Sequence, residues 1–123
     1  MNWVLDKSRP ICPQICELIC TAVASGEFSA GERLLSVREV ALLAGVNPNT
    51  VQKSFEELER RGVIHSVRCS GWYVNESIEA ASAEVKALRA KKTEEYLAAM
   101  SQLGCGPDDI IKYLNEFREV NHE

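Results

Sequence analysis

Asn47, Asn49, Thr50, Gln52 and Lys53 crowd amide, hydroxyl and ammonium groups into one short stretch that holds no carboxylate. Asparagine and glutamine can pair with adenine edges, threonine can meet a phosphate or a thymine methyl, and lysine can meet a phosphate or a guanine. A polar stretch of this kind is also what a solvated helix face looks like. The two readings separate on charge: the acids of the same segment, Glu56, Glu57 and Glu59, all lie in its second half. Its first half carries nothing that would repel a phosphate, and a helix N-terminus itself favours one.

Other constellations are weaker. Cys12, Cys16 and Cys20 recur every four residues and so drift slowly across one side of a helix. They can be read as a soft metal or redox site, or as small apolar residues beside the stripe of Ile15, Leu18, Ile19 and Val23. A closed tetrahedral site would need ligands from elsewhere in the chain. His65 and His122 are far apart and have no metal-ligand or triad spacing. No glycine-rich phosphate loop, H-E-x-x-H or G-x-S-x-G pattern occurs, so we expect no catalytic residue, no bound metal and no cofactor.

The elements that would position the polar stretch follow from local signals. Ile11 to Ala24 has helical periodicity and stops near Gly26. After a turn-like segment, Arg33-Leu34-Leu35 has room for a short strand. Ser36-Val37-Arg38-Glu39 opens a second helix as a capping box, with Val37, Val40, Ala41 and Ala44 on its apolar face. Gly45-Val46 allows a sharp turn. Asn47-Pro48 then starts a third helix, with a capping side chain followed by proline at the first helical position. This helix runs to about Arg61, with Val51, Phe55 and Leu58 inward. Val63 to Val67 and Trp72 to Asn75 read as a hairpin around Arg68-Cys69-Ser70-Gly71. From about Ile78 to Leu103 strong helix formers predominate, Gly104-Cys105-Gly106 breaks the run, and Pro107-Asp108-Asp109 starts a last helix.

The fold expected is mostly helical with a small β-hairpin wing: a winged helix-turn-helix over residues 1–76, followed by a two-helix dimerisation segment over 77–123. Two helices joined by a glycine-containing turn can present the second to the major groove. The later helices would bury Val85, Leu88, Tyr96, Met100, Leu103, Ile110, Ile111, Leu114 and Phe117 across a twofold axis; folding back onto the chain's own first domain is the alternative.

The segment from Pro10 to Val74 resembles the DNA-binding domain of the GntR family of bacterial regulators. The resemblance is carried in order by Ala24-Ser25-Gly26-Glu27, Gly31-Glu32-Arg33-Leu34, Ser36-Val37-Arg38-Glu39, Gly45-Val46-Asn47-Pro48-Asn49-Thr50-Val51, Leu58-Glu59-Arg60-Arg61-Gly62 and Gly71. Asn47-Pro48-Asn49-Thr50-Val51 with a short helical tail is similar to the YtrA-type subfamily. The resemblance implies a dimeric winged helix in which Arg38 lies at the DNA backbone, Asn49, Thr50 and Gln52 face the operator, and Gly71 lies in the wing. Departures from the family pattern are Leu35 for proline, Cys12 for tyrosine, and Cys69, Ser70 and Trp72 for the glycine, basic residue and small hydroxyl of the wing tip. Arg68 or His65 would then compensate at the wing.

With Arg33, Ser36, Asn47 and Lys53 added, these residues make the expected contact set for double-stranded operator DNA. The protein is expected to be a homodimeric repressor, with any small effector at the dimer interface. A thiol- or metal-responsive regulator and a winged-helix module that docks proteins are the competing readings.

Composition bounds these readings. The chain has 123 residues, 46% hydrophobic and 26% charged, as expected for one folded domain with an appendage. The start lacks a basic region followed by an apolar stretch, and no apolar run approaches a membrane span, so we expect a cytoplasmic protein that enters no membrane. Five cysteines without a C-x-x-C pair are expected to be reduced thiols. The net charge of −4 runs against nucleic-acid binding, which draws affinity from neutralised phosphates. Locally the sign reverses: from Arg33 to Lys53 there are three cations (Arg33, Arg38, Lys53) and one carboxylate (Glu39).

Overall fold

The computed structural model describes residues 1–121, so His122 lies outside the described residues. In chain order the elements are α1 (Ile11–Ala24), α2 (Val37–Ala44), α3 (Pro48–Arg60), β1 (Ile64–Val67), β2 (Gly71–Val74), α4 (Glu79–Gln102) and α5 (Pro107–Asn121). They fall into two compact units, Met1–Lys86 and the chain from Ala87 onward.

In the first unit α1 and α2 pack against α3. The local start signals are realised as bonds. Ser36 Oγ accepts from the Glu39 N–H at 3.1 Å and Glu39 Oε1 accepts from the Ser36 N–H at 2.9 Å, which completes the capping box of α2. Gly45 ends that helix at φ 66°, a left-handed conformation that costs glycine little. Asn47 Oδ1 accepts from the Asn49 N–H at 2.8 Å and Pro48 follows at the first helical position, so α3 begins two residues after the turn.

The core collects Ile15, Cys16, Ile19, Cys20 and Val23 from α1, Val40, Ala41 and Ala44 from α2, and Val51, Phe55 and Leu58 from α3. Ser54 is the one buried polar side chain among the described residues, and its hydroxyl donates to the Thr50 carbonyl at 2.8 Å. β1 and β2 pair antiparallel with Ile64 opposite Val74 and Val67 opposite Gly71. Arg33-Leu34-Leu35 does not form a full strand; a single bridge joins Arg33 to Tyr73, supported by Leu34 N–H to the Trp72 carbonyl and Val74 N–H to the Glu32 carbonyl, each 2.8 Å. Phe55 meets Trp72 edge to face at 5.4 Å and so joins α3 to β2.

Two parts of this unit lie outside the three helices and the hairpin. Trp3 and Leu5, ahead of α1, are buried in the core. Ala81 and Val85 on the first turns of α4 belong to the same core, so the unit extends beyond the hairpin. Val85, expected across the twofold axis, has its side chain covered within its own unit.

In the second unit Gly104 (φ 78°) ends the turn after α4, and Asp109 accepts from the Gly106 N–H at 3.2 Å as α5 begins. Ile110 is buried, while Leu88 and Met100 are half-buried. Leu103, Ile111 and Leu114 are 80%, 58% and 57% exposed. No described helix is long and apolar enough to cross a membrane.

Candidate nucleic-acid interface

The first turns of α3 form a polar tip. Asn47, Asn49 and Lys53 are exposed, and Thr50 and Gln52 are half-buried. No acidic residue lies in the first turn. Two groups expected to face a ligand are already engaged: Asn47 Oδ1 serves as the cap of α3, and Gln52 Nε2 donates to Glu56 Oε2 at 3.1 Å. Ser36 is committed in the same way to the cap of α2, which leaves its hydroxyl proton available.

The charges of the unit are segregated. Glu57 accepts from both Arg60 and Arg61, and these two guanidiniums hold its carboxyl below the usual carboxylate range, Arg61 contributing first. Arg61 also reaches Glu84 at 3.1 Å. By contrast, no ion pair joins Arg33, Arg38, Lys53 or Arg68 to a carboxylate among the described residues, and all four are exposed. Glu39 follows Arg38 on α2. Its carboxyl is lowered chiefly by the Ser36 backbone hydrogen bond, with a smaller contribution from the charge of Arg33. Cations without an ion pair among the described residues thus stand just before α2, on α2, near the start of α3 and at the hairpin.

At the wing Arg33 and Gly71 are brought together: a Cβ built on Gly71 would sit 3.3 Å from Arg33 Nε, and the residue's φ is 136°. Cys69 at the hairpin tip is the one described non-glycine residue with positive φ, at 63°. A side chain there is strained, which accounts physically for the glycine of the family pattern. His65, half-buried on β1, stacks on Tyr73 and sets Nδ1 2.6 Å from Asn75 Oδ1. Because Asn75 Nδ2 donates to the Gly62 carbonyl at 2.7 Å, its oxygen faces the ring, so His65 Nδ1 carries the proton and Nε2 remains available. Arg68 is exposed beyond it.

The three cysteines of α1 behave as core. Cys16 and Cys20 are buried, and burial is the first cause that pushes their thiols up, to about 12 and about 11. Cys16 Sγ lies 3.7 Å from the Ser54 carbonyl. Among the described residues no group of three or more His, Cys, Asp or Glu side chains could hold a metal ion.

A helix tip free of acids, set by a glycine turn after a preceding helix and flanked by a two-stranded hairpin, defines a winged helix-turn-helix DNA-binding protein. Residues 13–74 match the family described as "Bacterial regulatory proteins, gntR family". Over 119 residues the chain is 31% identical to the HTH-type transcriptional regulator YhcF of Bacillus subtilis, spanning 97% of this chain and 98% of the relative. It is 38% identical over 85 residues to the HTH-type transcriptional repressor YtrA of the same organism, 69% of this chain and 65% of that one. A solved GntR family transcriptional regulator from Listeria monocytogenes shares its fold with a TM-score of 0.80 and 36% identity over 91% of this chain and 98% of the other. The chain belongs to the GntR family and is a DNA-binding transcription regulator, not an enzyme.

Proposed function

We propose that the protein is a cytoplasmic repressor that binds an inverted-repeat operator as a homodimer, with α3 of each protomer in the major groove. The observation that carries this reading is the exposure of Asn49 and Lys53 at an acid-free helix tip, while every carboxylate of α3 lies further along the helix. Asn49, Thr50 and Gln52 read base edges. Arg33, Arg38 and Lys53 meet phosphates, and His65, Arg68 and Gly71 bring the wing to the backbone.

Dimerisation is supported by the apolar surface of the second unit. Leu103, Ile111, Leu114 and Tyr96 are exposed, and each large side chain fully covered by a second copy would contribute roughly 1.5–3 kcal/mol. Two protomers would then read half-sites about 34–36 Å apart, one helical turn. Repression by occlusion follows, and a relative of similar sequence is named a repressor. An open groove of about 430 Å³, lined by Tyr96, Tyr113, Leu114, Glu116, Phe117 and Val120, is where a small effector would act on the dimer.

Selection of bound duplexes from a random pool tests the reading. Recovery of an inverted repeat with half-sites one turn apart is expected. A pool that stays random while a salt-insensitive complex with protein forms would replace it with the protein-docking module.

A further inference from the structure

The chain ahead of α1 is a fastened arm. Trp3 and Leu5 anchor it in the core. Gln14 of α1 grips the backbone of Asp6 from both sides, accepting its N–H at 2.8 Å and donating to its carbonyl at 2.9 Å. The Asp6 carboxylate in turn accepts from the Ser8 N–H at 3.0 Å, the Ser8 hydroxyl at 2.6 Å and Arg9 Nε at 3.0 Å, which closes a tight turn. Lys7 projects from that turn, and its Nζ donates to the carbonyls of Ala44 at 3.1 Å and Gly45 at 2.8 Å.

Those two oxygens are where α2 ends. The last carbonyls of a helix lack intrahelical donors, and its C-terminus carries partial negative charge. α2 has no basic residue in its last turn, so Lys7 supplies from outside both the donors and the positive charge that the helix lacks. Gly45 and Val46 are the entire link to Asn47, the cap of α3. A small change in the conformation of that link swings the tip of α3, and the loss of an ångström of placement at a docking surface is costly.

We propose that Lys7 is a positioning residue for sequence reading: bridging the Ala44 and Gly45 carbonyls, it fixes the turn from which the recognition helix starts. The proposal rests on α3 being the helix that reads DNA. It differs from a phosphate contact, which would act on every sequence alike and through the salt dependence.

The test uses the full chain, Lys7→Met and Lys7→Arg. Its probes are a duplex selected by the wild-type protein from a random pool and a random duplex of the same length, each titrated over a salt series. Lys7→Met is expected to bind the selected duplex about tenfold more weakly, change by less than about twofold on the random one, and keep the salt slope. Lys7→Arg should recover most of the loss. In native Lys7→Met, amide exchange at Gly45 and Val46, whose N–H groups donate to the Ala41 carbonyl, should quicken about tenfold. Equal weakening on both duplexes with a slope lower by about one would make Lys7 a phosphate ligand and overturn the proposal. So would unchanged binding, or unchanged exchange at the turn. A wild-type protein that enriches no sequence would overturn the reading by α3 as well; enrichment with normal binding by Lys7→Met would overturn this inference alone.

Discussion

Gln52 donates its side-chain amide to the carboxylate of Glu56, one turn further along α3, at 3.1 Å. Glutamine reads adenine with two groups, an acceptor oxygen and a donor nitrogen. In the free protein one of the two amide hydrogens already has a local acceptor, so the proposed contact to adenine either uses the other or displaces Glu56. Gln52→Ala is expected to lose about 1–3 kcal/mol of preference for a selected duplex over a random one, and Asn49→Ala a similar amount. Glu56→Ala removes the competing acceptor and a negative charge, and should tighten binding to both duplexes. Titration of both duplexes with each variant checks this; equal weakening of the two by Gln52→Ala would take Gln52 off the reading face.

Arg38 follows the capping serine of α2, is exposed, and has no ion pair among the described residues. Nothing inside the protein competes for its guanidinium. Arg38→Ala should therefore weaken binding to every duplex and lower the slope of log affinity against log salt by about one. An unchanged slope would remove Arg38 from the phosphate contacts.

What the sequence made legible was local. The capping box Ser36–Glu39, the Asn47-Pro48 start and the glycine stops each depend on residues within a few positions, so spacing alone specified α2, α3 and their turn. Contacts over long separations were not legible. Lys7 meets carbonyls 37 and 38 positions away, and nothing in Met1 to Asp6 beyond the apolar types of Trp3 and Leu5 hinted at an anchored arm. Val85 shows the same limit from another side. Helical period tells that a residue belongs to an apolar face, and only the packing of the first turns of α4 within the first unit decides that this residue serves that unit's core.

Cys16 and Cys20 give a pH dependence whose sign is fixed by their burial. Their folded thiols ionise at about 12 and about 11, above the ordinary 9.0, so the unfolded chain releases its protons first. The stability they contribute is complete below pH 9 and falls as the pH rises through the folded values. Alkaline unfolding should steepen over that range and become shallower in Cys16→Ala. Thiol labelling of the native protein should reach Cys69 first, half-exposed Cys12 and Cys105 next, and Cys16 and Cys20 only on unfolding. Rapid labelling of Cys16 at neutral pH would revive α1 as a thiol sensor.

Leu114 is 57% exposed on α5, as is Ile111 at 58% one turn earlier, so the same helix face presents both. A face of this kind is stable in water only at a cost that a second copy would remove. Placing a carboxylate there by Leu114→Asp alters no residue of the first unit's core. If this face is the proposed seam, the wild-type protein should sediment as a dimer and the variant, at the same concentration, as a monomer. Its affinity for a two-half-site duplex should fall by about 10²-fold or more, the loss of linked binding, while its affinity for a single half-site stays the same. The half-site measurement is decisive: if Leu114→Asp weakens binding to one half-site as much as to two, the α5 face supports the winged unit itself and is not the seam between protomers.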